Sequence, residues 1–290
     1  MKKEGKSIGV LITEMEGRMK MRIISICPSN TELLAYLNML DHLIAIDNCS
    51  DWPSSIAHLP KVGPDLHINM EKVAELKPDL VLASLSVPGM ERNVEELQKR
   101  NIPHLVFAPN SLEDIANDLL RLGEALGRQA KAIEVVHRYR SFIEQYRQLA
   151  DSVIQPARLY WEWWPKPIFT PGNANWLSEI SRLAGGSNIF ADMPQANVQT
   201  DWNEVVKRNP SHICLVWVGV QTKKMNKEAV KKRIGAENVD AVCADRIYIL
   251  EESLYCRPSP RLLVGLKKLS ALLHPSVFPA DDGQDPLLAK

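Results

Sequence analysis

Residues 160–167 read "YWEWWPKP", so three of the chain's seven tryptophans fall within four positions, closed by two prolines. The chemistry of tryptophan is non-covalent: a large flat face that buries area and stacks, and one N–H to donate. Alternation along a strand puts Leu159, Trp161 and Trp163 on one face and Tyr160, Glu162 and Trp164 on the other. Trp161, in mid-strand, reads as core. Trp163 and Trp164, at the carboxyl end before Pro165, read as ligand contacts. Trp52 in "CSDWPSS", which begins with Cys49, and Trp217 at the end of "HICLVW" also follow strand-like runs. Tyr255 and Arg257 in "LYCRPSPRL" follow the last strand in the same way. Arg257 can meet an anionic or amide ligand edge or form a structural salt bridge; the residue type allows both.

Residue sets for covalent chemistry are missing from the sequence. It has no phosphate loop, no GxGxxG after a strand and no GxSxG elbow. "PGNANW" and "LAGGSN" read as ordinary glycine turns. The acidic pairs Glu251–Glu252 and Asp281–Asp282 read as solvated surface. Cys49 with His58, and Cys214 with His212, have no orienting third group. The seven histidines are scattered without metal-ligand spacing, so no metal site is expected. The chain reads as a binder and not as an enzyme.

The elements that must carry these aromatics alternate between β and α. "RIISIC" (22–27), "LIAID" (43–47), residues 79–84 and "HLVFA" (104–108) read as strands separated by helical patterns. Ser29 and Glu32 match an S-x-x-E capping box. Such alternation implies a mostly parallel sheet covered on both faces. Ser111 caps a helix that ends at Gly127. The next helix carries Ile133, Val136, Tyr139, Ile143 and Tyr146 on one stripe and spans roughly 35 Å, long enough to run beside two domains. A second α/β half follows, with "ARLYWEW", "HICLVW" and "RIYIL" as strands. Its final helix puts Leu262, Leu263, Leu266, Leu269 and Leu272 inside. "MEKVAELKPDLVL" and "NEVVKRNPSHICLV" repeat a helix–proline–strand pattern, matching Pro78 with Pro210. The expected organisation is a polar arm (1–21), an α/β lobe (22–110), a helical bridge (111–152), a second α/β lobe (153–278) and a frayed polar tail (279–290). Two Rossmann-like lobes joined by a long helix place the default ligand cleft between them, outside the carboxyl ends of the strands.

Composition bounds the partners. Thirty-five basic residues balance thirty-five acidic ones, which removes any electrostatic case for nucleic acid or an anionic membrane. No apolar run reaches membrane-spanning length. The apolar stretch near the start, "IGVLI", is too short for a secretory segment, so a cytoplasmic location is expected. The five cysteines include no CxxC pair and read as reduced, mostly buried thiols. A monomer is expected.

"RIISICPSNTELLAYL", "LPKVGPDLHINMEKVAELKPDLVLAS", "SRLAGGSNIFAD", "DWNEVVKRNPSHICLV" and "YCRPSPRLLVGLKKL" together resemble the vitamin B12/iron-siderophore solute-binding proteins of ABC transporters. These have a helical backbone (class III), and the cobalamin-binding branch is the most similar. The resemblance covers residues 22–275 and implies a non-enzymatic binding protein with cobalamin or a related corrinoid as its ligand. A ferric-siderophore or haem binder is the alternative within the fold, and a corrinoid-processing enzyme the alternative outside it. "YWEWWPKPIFTPG" is similar to the second-lobe cleft loop, with Trp163 at an aromatic contact. "CSDWP" resembles the first-lobe loop, with Cys49 and Trp52 at contact positions. Asp65, Ser84 and Asn197 stand near other positions that are aromatic in the relatives. Family members dock on a membrane permease through one glutamate per lobe. Glu71 fits the first; Asn203 occupies the second, with Glu204 beside it. The replaced carboxylate and the short leader imply a cytoplasmic relative that serves no transporter directly, with the family's usual extracytoplasmic location as the alternative.

Overall fold

The computed structural model describes residues 20–288; most of the expected N-terminal arm therefore lies outside the described residues. The chain divides into two compact units. Unit 1 holds the residues up to Pro109 together with Ala116–His137, and unit 2 holds Asn110–Ile115 and the chain from Arg138 onward.

In unit 1, β1 (Ile23–Ser25), β2 (Leu43–Ile46), β3 (Leu80–Ser84) and β4 (His104–Phe107) form a parallel sheet of order β2-β1-β3-β4. All five β3 residues are buried, as expected for a strand covered on both faces. Helices α1 (Pro28–Tyr36), α2 (Met70–Glu75) and α3 (Glu91–Lys99) connect the strands. The expected capping box at Ser29 does not form. Pro28 supplies a preset φ at the first helical position, so Cys27 takes the cap position and Ser29 falls inside the first turn. Its hydroxyl lies 3.3 Å from Cys27 Sγ, and Glu32 is buried.

Helix α4 (Leu112–Ala125) is capped as predicted at Ser111. Asp114 N donates to Ser111 Oγ and Ser111 N donates back to Asp114 Oδ2, both at 3.0 Å. Helix α5 (Gln129–Asp151) follows, and both helices give residues to each unit. Val136, Tyr139, Ile143 and Tyr146 are buried, but Ile133 is 60% exposed. Close helix packing explains the correction: a Cβ on Gly123 would stand 2.4 Å from Ala132 Cβ, so Ala132 holds the inner position.

Unit 2 repeats the order. β5 (Ala157–Glu162), β8 (Gly186–Asn188), β10 (His212–Leu215) and β11 (Ile247–Ile249) form a parallel sheet in the order β11-β10-β5-β8. In each sheet the first strand is central, the second lies to one side, and the third and fourth lie to the other. A second, antiparallel sheet of β6 (Trp164–Pro165), β7 (Ile168–Pro171) and β9 (Asn197–Thr200) was not expected. Its strands are too short and proline-rich to show a period. Helices α6 (Trp176–Leu183), α7 (Trp202–Arg208) and α8 (Leu262–Leu273) cover the unit, with Leu272 exposed against expectation. The paired prolines mark matching breaks: Lys77 (φ 46°) and Asn209 (φ 42°) leave the right-handed region just before Pro78 and Pro210.

The tail is also corrected, because it is docked. Lys267 Nζ donates to Asp282 Oδ1 and, at 2.9 Å, to Gln284 O. Arg138 Nη2 donates to Pro286 O at 3.0 Å, and Leu287 is buried.

Trp161 is wholly buried, its Nε1 donates to Ser181 Oγ at 2.9 Å and its ring lies 5.5 Å from that of Tyr255. Trp161→Ala is expected to lower unfolding free energy by about 3–5 kcal/mol in urea titrations.

Candidate functional site

In open α/β sheets, the crevice for a ligand opens where successive crossovers leave in opposite directions, beyond the carboxyl ends of the strands. Strand order places that point between β1 and β3 in unit 1, and between β5 and β10 in unit 2.

In unit 1, β2 runs into Asp47, a buried carboxylate that organises the following loop. Its Oδ1 accepts from Cys49 N at 2.7 Å and Ser50 N at 2.9 Å, and its Oδ2 accepts from Ser50 Oγ. Thr31 Oγ1 lies 2.8 Å from Ser25 Oγ and 2.8 Å from Ser50 Oγ, tying the loop to β1 and α1. Lys61 Nζ donates to Ser50 O at 2.8 Å. Held this way, Cys49 is exposed and Trp52 half-buried, its ring 5.7 Å from that of Tyr36. Burial pushes the Asp47 carboxyl up to about 6, against the lowering effect of its hydrogen bonds. At the end of β3, Ser84 Oγ donates to Ser86 Oγ at 2.9 Å, and Leu85 is exposed.

In unit 2, the end of β5 carries a charge buried to 0% exposure, Glu162. Arg233 donates Nη1 to Oε2 at 2.5 Å and Nη2 to Oε1 at 2.9 Å. Tyr160 Oη donates to Oε2 at 2.8 Å, and Trp217 Nε1 to Oε1 at 3.1 Å. A carboxylate removed from water must recover its hydration from such donors. Trp163 and Trp217, both half-buried, thus stand at the ends of the two strands that flank the crossover point. Their backbones are linked through Val218 N, which donates to Trp163 O at 3.2 Å. Trp163 Nε1 is buried without a hydrogen-bond partner, while Trp164 is 43% exposed on β6.

The other expected site residues lie elsewhere. Tyr255 is 0% exposed and donates its hydroxyl to Gly265 O at 2.9 Å, so it fills the core under Trp161 and offers no ligand face. Arg257 is buried against Glu252, with Nη2 3.1 Å from Oε2, which is the structural reading of that residue. Glu71 is exposed in the first turn of α2. Glu204 accepts from Arg208 Nε at 2.8 Å, whereas Asn203 beside it is exposed. Cys27 and Cys214 are buried, but Cys49 and Cys243 are exposed, so the thiols are not mostly inside. Among the described residues, no cluster of three or more His, Cys, Asp or Glu could hold a metal. Sequence reasoning missed Glu162 and Arg233. A charge alternating onto a buried strand face signals an unseen partner, but not one 71 positions away.

Twin parallel sheets with tryptophans at a crossover point frame a place for a flat ligand, and the family match gives the class: a solute-binding protein. A family model described as periplasmic binding protein matches residues 23–254, and the chain belongs to that family. YvrC, an ABC transporter substrate-binding lipoprotein of Bacillus subtilis, is 30% identical over 262 residues, 89% of this chain and 81% of the relative. A vitamin B12-binding protein of Yersinia pestis is 30% identical over 253 residues, 86% of this chain and 84% of the relative. The periplasmic vitamin B12 binding protein BtuF of Vibrio cholerae superposes with a TM-score of 0.72 at 27% identity, covering 87% of this chain and 96% of that one. The haem complex of Staphylococcus aureus IsdE has a TM-score of 0.78 at 18% identity, covering 88% and 99%, a likeness of fold alone. These relatives are binding proteins, not enzymes. They also correct the cytoplasmic expectation, because YvrC is a lipoprotein and BtuF is periplasmic. A short apolar run near the start does not decide location. Among the described residues no helix is long and apolar enough to cross a membrane.

Two shifted titrations, Asp47 just past β2 in unit 1 and His212 at the amino end of β10 in unit 2, work oppositely. Asp47 binds its proton more tightly folded than unfolded, so its contribution is full below pH ~4 and lost as pH rises through 6. His212, pushed down to about 4 by burial and then by Arg246, contributes stability that is lost as pH falls from ~6.5 through 4. Asp47→Asn keeps an acceptor for the two backbone donors and isolates the first effect. Relative to wild type, its unfolding free energy is expected to rise by about 2 kcal/mol between pH 4 and pH 7 in urea titrations.

Proposed function

We propose that this chain is the substrate-binding protein of an ABC transporter, working outside the cytoplasm, with cobalamin or a related corrinoid as its ligand. The observation that carries the reading is the set of indoles at the end of the second sheet. Trp163 and Trp217 flank the crossover point and Trp164 stands exposed on the adjoining hairpin. Flat apolar faces of this area suit a large macrocycle with a partly apolar surface. Two relatives named for vitamin B12 binding, at 30% and 27% identity, favour a corrinoid within that class. In unit 1, Trp52 on its Asp47-anchored loop is the corresponding contact, with Cys49 next to it. Glu71 is the docking carboxylate of unit 1 toward the permease. In unit 2, Glu204 is drawn to Arg208, so the exposed residue there is Asn203.

The test is optical. Hydroxocobalamin or cyanocobalamin is added to the protein, and tryptophan emission and the visible corrin bands are followed. Quenching that saturates at micromolar ligand is expected. Its absence would sink the corrinoid reading, and saturable quenching by haemin or a ferric siderophore instead would reassign the ligand.

Trp163→Ala is expected to weaken hydroxocobalamin binding by about 1–3 kcal/mol, roughly fivefold to a hundredfold, in the same titration. The melting temperature should fall far less than in Trp161→Ala. Trp52→Ala is expected to weaken binding in the same direction.

A further inference from the structure

The connection from β10 to β11 meets the same carboxylate at its start and again just past its middle. Trp217, two residues past β10, and Arg233, sixteen residues later, both donate to Glu162. The start of the connection is also pinned through its backbone, with Val216 N donating to Glu162 O at 3.0 Å. The second point is also held by Trp202. The Arg233 guanidinium lies 4.8 Å from the centre of that ring, and Trp202 Nε1 donates to Ile234 O at 3.1 Å. Between these points Met225 and Val230 are buried in the unit 2 core.

Stability alone does not call for this arrangement. A buried ion pair can often be replaced by well-packed apolar side chains with no loss of stability. What the two-pronged contact supplies is placement: a guanidinium fork fixes the carboxylate in one orientation. The carboxylate then leaves one direction for the Trp217 N–H. A ring held by packing alone keeps its depth but is free to turn about χ2. Here the hydrogen bond removes that freedom for the indole beside Trp163 and the exposed Val218.

We infer that Glu162 and Arg233 are positioning residues of the ligand site. They hold the Trp217 ring, next to the exposed Val218, in the orientation that the ligand meets. The inference rests on the reading that the ligand binds beyond the carboxyl ends of β5 and β10, and it deepens that reading by adding the buried Glu162 and the half-buried Arg233, which do not touch the ligand.

The experiment uses the full chain and four proteins: wild type, Glu162→Gln, Trp217→Phe and the double variant. Two quantities are read at a temperature where all four are folded by circular dichroism. The first is acrylamide quenching of the part of the emission that Trp217→Phe removes. Glu162→Gln is expected to raise it about twofold. The second is the dissociation constant for hydroxocobalamin, with haemin and a ferric hydroxamate as further probes. Glu162→Gln is expected to weaken binding about tenfold, and to cause no further loss when Trp217 is already Phe. A lowered melting temperature with unchanged quenching and unchanged affinity would make the pair purely structural and overturn the inference. Additive losses in the double variant would overturn the route through Trp217. If wild type binds none of the three probes, the ligand reading fails, and the quenching still decides whether Glu162 positions the ring. Should Glu162→Gln not fold, Arg233→Lys keeps the charge, loses the fork and is expected to raise Trp217 quenching in the same way.

Discussion

A carboxylate with no access to water organises the carboxyl end of the second unit's sheet. Glu162 sits at the last position of β5, where the strand gives way to the tryptophan-bearing loop. Its burial is tolerable only because four donor contacts from Tyr160, Trp217 and Arg233 replace its lost hydration. Tyr160 is on the same strand, but Trp217 and Arg233 are not, so satisfying one charge fixes two further segments relative to the sheet. The aromatic surface is in this sense a by-product of solving an electrostatic problem beneath it. Unit 1 reaches a similar end with hydroxyls and a single carboxylate. Asp47 gathers two backbone N–H groups and Ser50, and the loop carrying Cys49 and Trp52 follows.

The common strand order makes both solutions possible. A central first strand with crossovers to either side opens a crevice at one defined edge of each sheet. Residues just past the central strands are therefore placed by topology before any side chain is chosen. The breaks at Lys77–Pro78 and Asn209–Pro210 start the third strand of each sheet at the same kind of corner. Side-chain chemistry then differs at those edges: small hydroxyls in one unit and indoles in the other.

Much of this was legible in the sequence. Strands such as 80–84 and 212–215 are continuous apolar or β-branched runs ended by turns, and burial on both faces demands that composition. The tryptophans could be placed at strand ends because the end of such a run is visible. Contacts between distant segments could not be placed. Nothing near Glu162 names Arg233, and nothing near Tyr255 shows that Trp161 and Gly265 close over it. Local rules failed where a stronger local constraint competed. Pro28 displaced the Ser29 cap by two residues, to Cys27, and the Gly123–Ala132 approach turned Ile133 outward. The β6-β7-β9 sheet was invisible because two-residue and four-residue strands carry too little period to read.

The docked tail makes one unit answer for residues far away in the chain. Lys267 is nearly buried, and the oxygens that receive its ammonium belong to Asp282 and Gln284. Pro286 O binds Arg138 on α5, more than half the chain earlier. Unit 1 draws on no residue beyond His137. Trimming the chain before Asp282 would therefore leave unit 1 with all its residues and strip a nearly buried ammonium in unit 2 of its oxygens, a cost borne by the unit that carries the indoles.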